Sequence, residues 1–98
     1  MADIFKSSHF DAWLRGLRDI RAVARIQARI DRLALGNPGD AKPVGAGISE
    51  MRIDYGPGYR VYFMRQGTIV IVLLCGGDKS SQQKDIEKAK ELAAKWKE

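Results

Sequence analysis

A chain of 98 residues, 45% of them hydrophobic and 30% charged, has the size and composition of one folded domain. This composition excludes a disordered protein and predicts a single unit over residues 1–98. The formal net charge of +5 favours a polyanionic partner, such as RNA, the ribosome or an acidic protein. The apolar run Ile69–Leu74 is far too short to cross a bilayer, so we expect no membrane-spanning helix and no membrane partner.

The N-terminal residues predict a short strand and a first helix. Ile4 and Phe5 indicate the strand. Ser7 or Ser8 can cap a helix over about His9–Leu17. The apolar face of this helix would carry Phe10, Trp13, Leu14 and Leu17. No apolar segment long enough for a signal peptide precedes the helix, so we expect none.

The second predicted helix, about Asp19–Leu35, has an apolar face and a strongly basic face. The core stripe consists of Val23, Ile26, Ile30 and Leu33, and Gly36 ends the helix. The two helices are expected to form a hairpin. The opposite face carries an arginine row at the same spacing, made of Arg18, Arg21, Arg25, Arg29 and Arg32. The row is either a solvated helix face or a binding surface for RNA phosphates or an acidic partner.

The middle of the chain predicts a loop and a β-hairpin. Ala41–Gly47 is rich in small residues and is expected to be the loop, where Lys42 can contact a partner. Two runs of alternating polar and apolar residues follow, about Ile48–Tyr55 and Tyr59–Arg65. The glycine-rich segment between them indicates a hairpin with a three-residue loop, residues 56–58.

The separation of polar from apolar side chains decides the expected register of this hairpin. With the three-residue loop, Met51 lies opposite Phe63, and Ile53 lies opposite Val61, all on the core face. The pairs expected on the other face are Arg52 with Tyr62 and Asp54 with Arg60. That polar face, which also includes Glu50, is either an ordinary solvated surface or a surface that can hold a phosphate.

The third strand of the sheet, over about Thr68–Cys75, is apolar on both faces. We expect it at the sheet centre with both sides covered, after a turn at Gln66 and Gly67. The one cysteine, Cys75, is expected to be a buried thiol, and without an internal disulfide the chain is typical of the cytoplasm. The one histidine, His9, lies in another segment, so no Cys–His nucleophile pair is predicted, and no cofactor or metal is expected.

The last predicted helix begins after Ser80, with Gln83 completing a capping box. Its buried face would carry Ile86, Ala89, Leu92, Ala93 and Trp96, while its solvent face would carry Lys84, Lys88, Lys95 and Lys97. The element order is then β-α-α-β-β-β-α. This order predicts an α+β domain in which an antiparallel sheet is packed by an N-terminal helical hairpin and a C-terminal helix.

Three motifs are specific when they occur together: Met51–Arg52, Gly56–Phe63, and Gly76–Gln82 followed by Asp85–Ile86. With the predicted element order, they resemble the RelE/ParE superfamily of type II toxin–antitoxin toxins, in particular the HigB-like branch of addiction module killer proteins. The resemblance covers nearly the whole chain. It implies a RelE-like fold and a cognate antitoxin partner, often with a helix-turn-helix DNA-binding domain. Relatives similar to RelE and HigB cut mRNA in the ribosomal A site, whereas relatives similar to ParE poison DNA gyrase.

Four residues of these motifs are candidate catalytic groups: Arg60, Lys79, Arg52 and Tyr62. Attack of a 2′-OH on its own 3′-phosphate needs a proton acceptor, a proton donor and cations for the phosphorane. Arg52 and Arg60 can clamp the phosphate in bidentate fashion. Lys79 corresponds to a basic residue that acts as an acid or charge stabiliser in ribosome-dependent relatives. Tyr62 and Tyr55 can stack on a base or hold an oxygen.

The chain also departs from RelE-like nucleases, because Ile48 and Glu50 stand where those proteins carry lysines. Candidates for the proton acceptor are therefore Glu50 and a deprotonated Lys79 or Tyr62. Three functions stay open: an mRNA endoribonuclease that needs the ribosome, a gyrase inhibitor without a nuclease site, and a degenerate toxin that only binds its antitoxin. The grouping of several cations around one site favours translation inhibition by mRNA cleavage.

Overall fold

The computed structural model describes residues 1–96, which form a five-stranded sheet with helices on both faces. The strands are β1 (Asp3–Lys6), β2 (Ala41–Gly45), β3 (Ile48–Ile53), β4 (Tyr59–Gln66) and β5 (Val70–Asp78). The helices are α1 (Ser8–Gly16), α2 (Ile20–Ala34) and α3 (Gln82–Trp96), and a 3-10 turn (Lys79–Ser81) precedes α3. The predicted α+β class is confirmed. Lys97, which was expected on the solvent face of the last helix, lies outside the described residues.

The sheet contains one strand that we expected to be a loop. β2 pairs antiparallel with β3 at the sheet edge, with Lys42 opposite Glu50. Pro43 hides this strand from sequence reasoning, because proline cannot donate to a ladder and is tolerated only at an edge. The strand order is β1-β5-β4-β3-β2, so β4 and not β5 is the central strand. β1 is the parallel exception in a mostly antiparallel sheet, since it pairs parallel with β5.

The first core lies between α1, α2 and one face of the sheet. Alternate β4 residues, Tyr59, Val61 and Phe63, point into it. The buried α2 residues are Ala22, Ile26, Ile30 and Leu33. The predicted stripe is therefore right except at Val23, which is only half-buried, while Ala22 is fully buried instead.

The second core lies under α3 on the opposite face of the sheet. The intervening β4 residues, Tyr62 and Met64, pack there with Leu74, Cys75, Ala89 and Ala93. A β-bulge shifts the β4–β5 register at Tyr62, so that the consecutive residues Leu74 and Cys75 both join this core. Burial raises the pKa of the Cys75 thiol to about 12. Trp96, expected in the buried face of the helix, is 39% exposed at the last described turn.

Side-chain caps begin two of the three helices. The Ser7 hydroxyl accepts from Phe10 N at 2.9 Å and donates to Leu74 O at 2.6 Å, which ties the start of α1 to β5. The Asp19 side chain caps α2. The capping box predicted at Ser80 does not form, because the Asp78 carboxylate accepts from Ser80 N at 2.8 Å and starts the 3-10 turn instead.

Candidate functional site

The β3–β4 hairpin places the two candidate arginines side by side. Met51 pairs with Val61, Glu50 with Tyr62, and Arg52 with Arg60. The expected register is therefore wrong by two residues, and the predicted pairs Arg52–Tyr62 and Asp54–Arg60 do not occur. The connection is the five-residue loop 54–58, in which Gly56 and Gly58 have φ values of 56° and 84°. A shift of two residues keeps every side chain on its own face, so the segregation of faces was predicted correctly.

A buried carboxylate accepts hydrogen bonds from both arginines of this pair. Glu50 is 0% exposed, and each of its oxygens accepts two hydrogen bonds. At Oε1 the donors are Arg60 Nη1 at 2.8 Å and Arg52 Nε at 3.2 Å, and at Oε2 they are Gln82 Nε2 at 2.9 Å and the Tyr62 hydroxyl at 3.2 Å. Like charges directly opposite on neighbouring strands repel, so Glu50 is the group that allows the arginines to share this position.

The environment of Glu50 keeps its carboxylate ionised and its acceptor positions filled by hydrogen-bond donors. Burial by itself raises its pKa, but the hydrogen bond from Gln82 and the charge and hydrogen bond of Arg60 outweigh burial and lower the pKa below its ordinary value. Because both oxygens already hold donors, Glu50 has no free position for a proton from RNA. It is an anchor for Arg52 and Arg60 and a poor proton acceptor.

Tyr62 lies in a different place from the one expected. It was predicted on the polar surface, but its side chain is fully buried beneath α3 because that helix covers this face of the sheet. Burial and the neighbouring Glu50 carboxylate raise the pKa of its hydroxyl. Tyr62 therefore reaches the arginine pair only through Glu50, and it is neither positioned to stack on a base nor easily deprotonated.

Lys79 lies beside the arginine pair at the end of β5. Strand pairing sets Gly77 opposite Arg60 and Asp78 opposite Tyr59, so the next residue, Lys79, emerges at the same edge. Arg52, Arg60 and Lys79 line a cleft of about 210 Å³, together with Asp40, Ile53, Asp54, Gly58 and Tyr59. The side chain of Arg60 is 12% exposed and that of Arg52 is 38% exposed. We refer to this depression as the polar cleft.

Close packing fixes the strand that leads to Lys79. An added Cβ at Gly76 would overlap the Trp13 ring of α1, and one at Gly77 would overlap the Asp85 carboxylate of α3. The paired glycines therefore allow helices on both faces to approach β5 just before the cleft. This is the physical reason for the Gly76–Gly77 motif that the sequence analysis identified.

The arginine row of α2 divides into two groups. Arg25, Arg29 and Arg32 line a second depression of about 360 Å³ with Ala28, Ile53 and Asp54, which we call the arginine groove. Arg18 and Arg21 are exposed outside it. Arg29 is half-buried and ties α2 to the sheet, since its Nη1 donates to Arg52 O at 2.5 Å and its Nη2 to Pro38 O at 3.0 Å.

Tyr55 also has partners within the protein. The Arg25 guanidinium lies 4.7 Å from the centroid of its ring, and its hydroxyl donates to Asp19 Oδ2 at 3.1 Å. One ring face is therefore already covered by a cation. Lys42, the other candidate contact, is exposed on β2 and lines neither depression.

The site includes residues that the sequence analysis did not identify as functional, namely Gln82 and Asp40. Gln82 begins α3 and bonds the buried carboxylate, and Asp40 is held by a hydrogen bond from Arg52 N to its carbonyl at 2.9 Å. No sequence signal connects either residue to the hairpin. Within residues 1–96, no group of three or more His, Cys, Asp and Glu side chains could hold a metal ion. No helix in that range is long and apolar enough to cross a membrane.

Comparison with known proteins gives two similarities. The model of the family "Phage derived protein Gp49-like (DUF891)" matches residues 12–98. An uncharacterized protein of Haemophilus influenzae is 58% identical over 84 residues, which cover 86% of this chain and 85% of the relative. The residues matched by the family model include the β3–β4 hairpin, Gly76–Gly77 and Lys79. The chain therefore belongs to the Gp49-like family of phage-derived proteins, a family of the toxin–antitoxin type.

Proposed function

We propose that this protein is the toxin of a type II toxin–antitoxin module and that it inhibits translation by cutting mRNA on the ribosome. The observation that carries the proposal is the polar cleft, in which Arg52, Arg60 and Lys79 converge while Glu50 holds both guanidinium groups. The proposal is also supported by Gly58, Tyr59, Arg60 and Lys79, which line the cleft and belong to the two motifs that resemble those of RelE- and HigB-like toxins. We also propose that residues 1–98 form a single domain, as expected from the length of the chain.

The cleft supplies the charges that the reaction requires. The 2′-oxygen of the substrate attacks its own 3′-phosphate, the new P–O bond forms, and the bond from phosphorus to the 5′-oxygen of the next nucleotide breaks. Arg52 and Arg60 stabilise the negative charge of the phosphorane, because only one N–H group of each is used by Glu50. Lys79 donates the proton that the leaving 5′-oxygen takes up.

The proton of the attacking 2′-OH goes to a carboxylate at the wall of the cleft. Of the acidic residues at the site, Glu50 is buried and saturated with donors, whereas Asp40 and Asp54 line the cleft. Either can accept the proton directly or through one water. Holding the scissile phosphate among three cations is then the main source of rate, and the ribosome positions the mRNA.

The first experiment tests the toxin role. Expression of the chain should arrest growth, and co-expression of the neighbouring small gene, encoding an antitoxin with a helix-turn-helix domain, should relieve the arrest. Uninterrupted growth with abundant folded protein would leave only the third function, a degenerate toxin that binds its antitoxin.

The second experiment tests the chemistry. Primer extension on translating ribosomes should map cuts for the wild type and roughly 10²-fold fewer for Lys79→Ala, as expected when one charge-stabilising donor is removed. Lys79 is exposed, so the variant should fold normally. Lys90→Ala, at an exposed α3 position outside the cleft, is the matched control and should cut like the wild type. Equal cutting by both variants refutes the assignment, and intact mRNA with blocked gyrase supercoiling would establish the ParE-like function instead.

A further inference from the structure

The arginine groove is larger than the polar cleft and is not needed for the chemistry proposed there. It presents the cations Arg25, Arg29 and Arg32 around an apolar floor made of Ala28 and Ile53. Two of the three cations are held in place: Arg29 by two backbone carbonyls and Arg25 by the Tyr55 ring. Held guanidinium groups lose little conformational entropy when they bind, so the groove is prepared for an anionic ligand.

The groove and the cleft are adjacent. Ile53 and Asp54, at the end of β3, line both depressions, so these two residues form the boundary between them. A polymer that leaves the cleft across this boundary enters the groove without leaving the protein surface. Each depression is lined by three cations, and Asp54 lines both.

We propose that the arginine groove binds the backbone of the RNA strand next to the scissile phosphate. This inference rests on the proposed function, because it takes the cleft to be the place where RNA is cut. Single-stranded RNA is bound by a basic groove that follows its phosphates, and Arg25, Arg29 and Arg32 supply such a groove.

The chemistry of the boundary favours RNA over an acidic protein segment. Asp54 lines both depressions, so an acidic peptide that lies across them brings its carboxylates close to a residue of the same charge. An RNA chain instead alternates phosphates with sugars whose 2′-hydroxyl groups donate hydrogen bonds. Phosphates can therefore lie on the arginines at either side while a sugar hydroxyl meets Asp54.

The test measures how affinity depends on RNA length, by fluorescence anisotropy with the full chain. An RNA of roughly three nucleotides fills the cleft alone, whereas one of roughly eight nucleotides also reaches the groove. The wild type should bind the longer RNA more tightly, and Arg25→Ala/Arg32→Ala should lose this gain. The salt slope is the slope of log affinity against log salt concentration, and losing two phosphate contacts should reduce its magnitude by about 1.4. Between about 50 and 200 mM salt, the affinity of the double variant should therefore fall roughly sevenfold less than that of the wild type.

The matched control is Lys90→Ala/Lys95→Ala, which removes the same charge from exposed positions on α3 across the sheet. It should keep both the length-dependent gain and the salt slope, and thermal unfolding should show that both double variants are folded. Equal loss in the two variants would overturn the proposal, since only net charge would then matter. The proposal would also be overturned if the binding of polyglutamate, but not the binding of RNA, depended on Arg25 and Arg32.

The same measurements separate this inference from the proposed function. A wild type that binds longer RNA through Arg25 and Arg32 but cuts no mRNA would refute the nuclease and leave the groove assigned. A wild type that cuts mRNA but shows no gain with length would refute the groove and leave the nuclease in place.

Discussion

Replacing Glu50 by glutamine tests whether the buried carboxylate holds the site together. The change keeps the shape of the side chain but removes its negative charge. The carboxylate that is lost accepts hydrogen bonds from Arg60 at 2.8 Å and from Arg52 at 3.2 Å. Losing one partner of a buried ion pair costs about 3–5 kcal/mol. Arg52 is 38% exposed, so solvent screens its part of the interaction, and the amide oxygen of glutamine can still accept hydrogen bonds. We therefore expect the low end, about 3 kcal/mol.

The assay for this change is thermal and urea unfolding at pH 7. For a domain of this length, about 3 kcal/mol corresponds to a fall in Tm of roughly 12–24 °C. Glu87→Gln makes the same chemical change at an exposed position on α3 and should stay within about 0.5 kcal/mol of the wild type. Equal unfolding curves for the two variants would refute the idea that Glu50 anchors the arginine pair.

The pH dependence gives an independent check with a definite sign. The hydrogen bonds and charges around Glu50 lower its pKa in the folded state below the ordinary value of 4.5. The stabilisation from Glu50 is therefore fully present above about pH 4.5 and is lost as the pH falls through the folded pKa. The stability difference between the wild type and Glu50→Gln should be largest at neutral pH and should shrink in acid. A difference that stays constant down to about pH 3 would contradict this reasoning.

Two further substitutions test packing around the site, both by chemical denaturation. Arg29→Ala should cost about 1.5–3 kcal/mol, because charged donors to Pro38 O and Arg52 O are lost. Arg21→Ala, also on α2, should cost little, and equal costs would show that Arg29 is not a structural tie. Gly76→Ala should cost about 1–3 kcal/mol, since the new methyl group overlaps the Trp13 ring, which itself packs against Phe10 and Tyr59. An unchanged stability would mean that Trp13 moves aside freely.

Much of the local structure could be predicted from the sequence because short-range patterns determine it. The helical spacing of apolar residues placed α1 and α2 within a residue or so of their observed ends, and Ser7 was one of the two residues predicted to cap α1. The alternation along β3 and β4 assigned each side chain to the correct face. The same alternation could not distinguish registers two residues apart, because both keep the faces intact.

The composition of the site was therefore within reach of sequence reasoning, and its arrangement was not. Arg52, Arg60 and Lys79 were identifiable as cations on neighbouring segments, and the structure brings them to one cleft. That Glu50 and Tyr62 are buried depends on α3 covering their face of the sheet, a contact between segments distant in the chain. The two-residue shift that sets Arg52 against Arg60 depends on the conformation of the loop 54–58. The sequence by itself determined which side chains carry charge and which face they occupy, because those follow from residue type and local period. Only the tertiary structure decided which charged side chains are paired in the protein interior and which stay accessible at the surface, because burial is set by long-range packing.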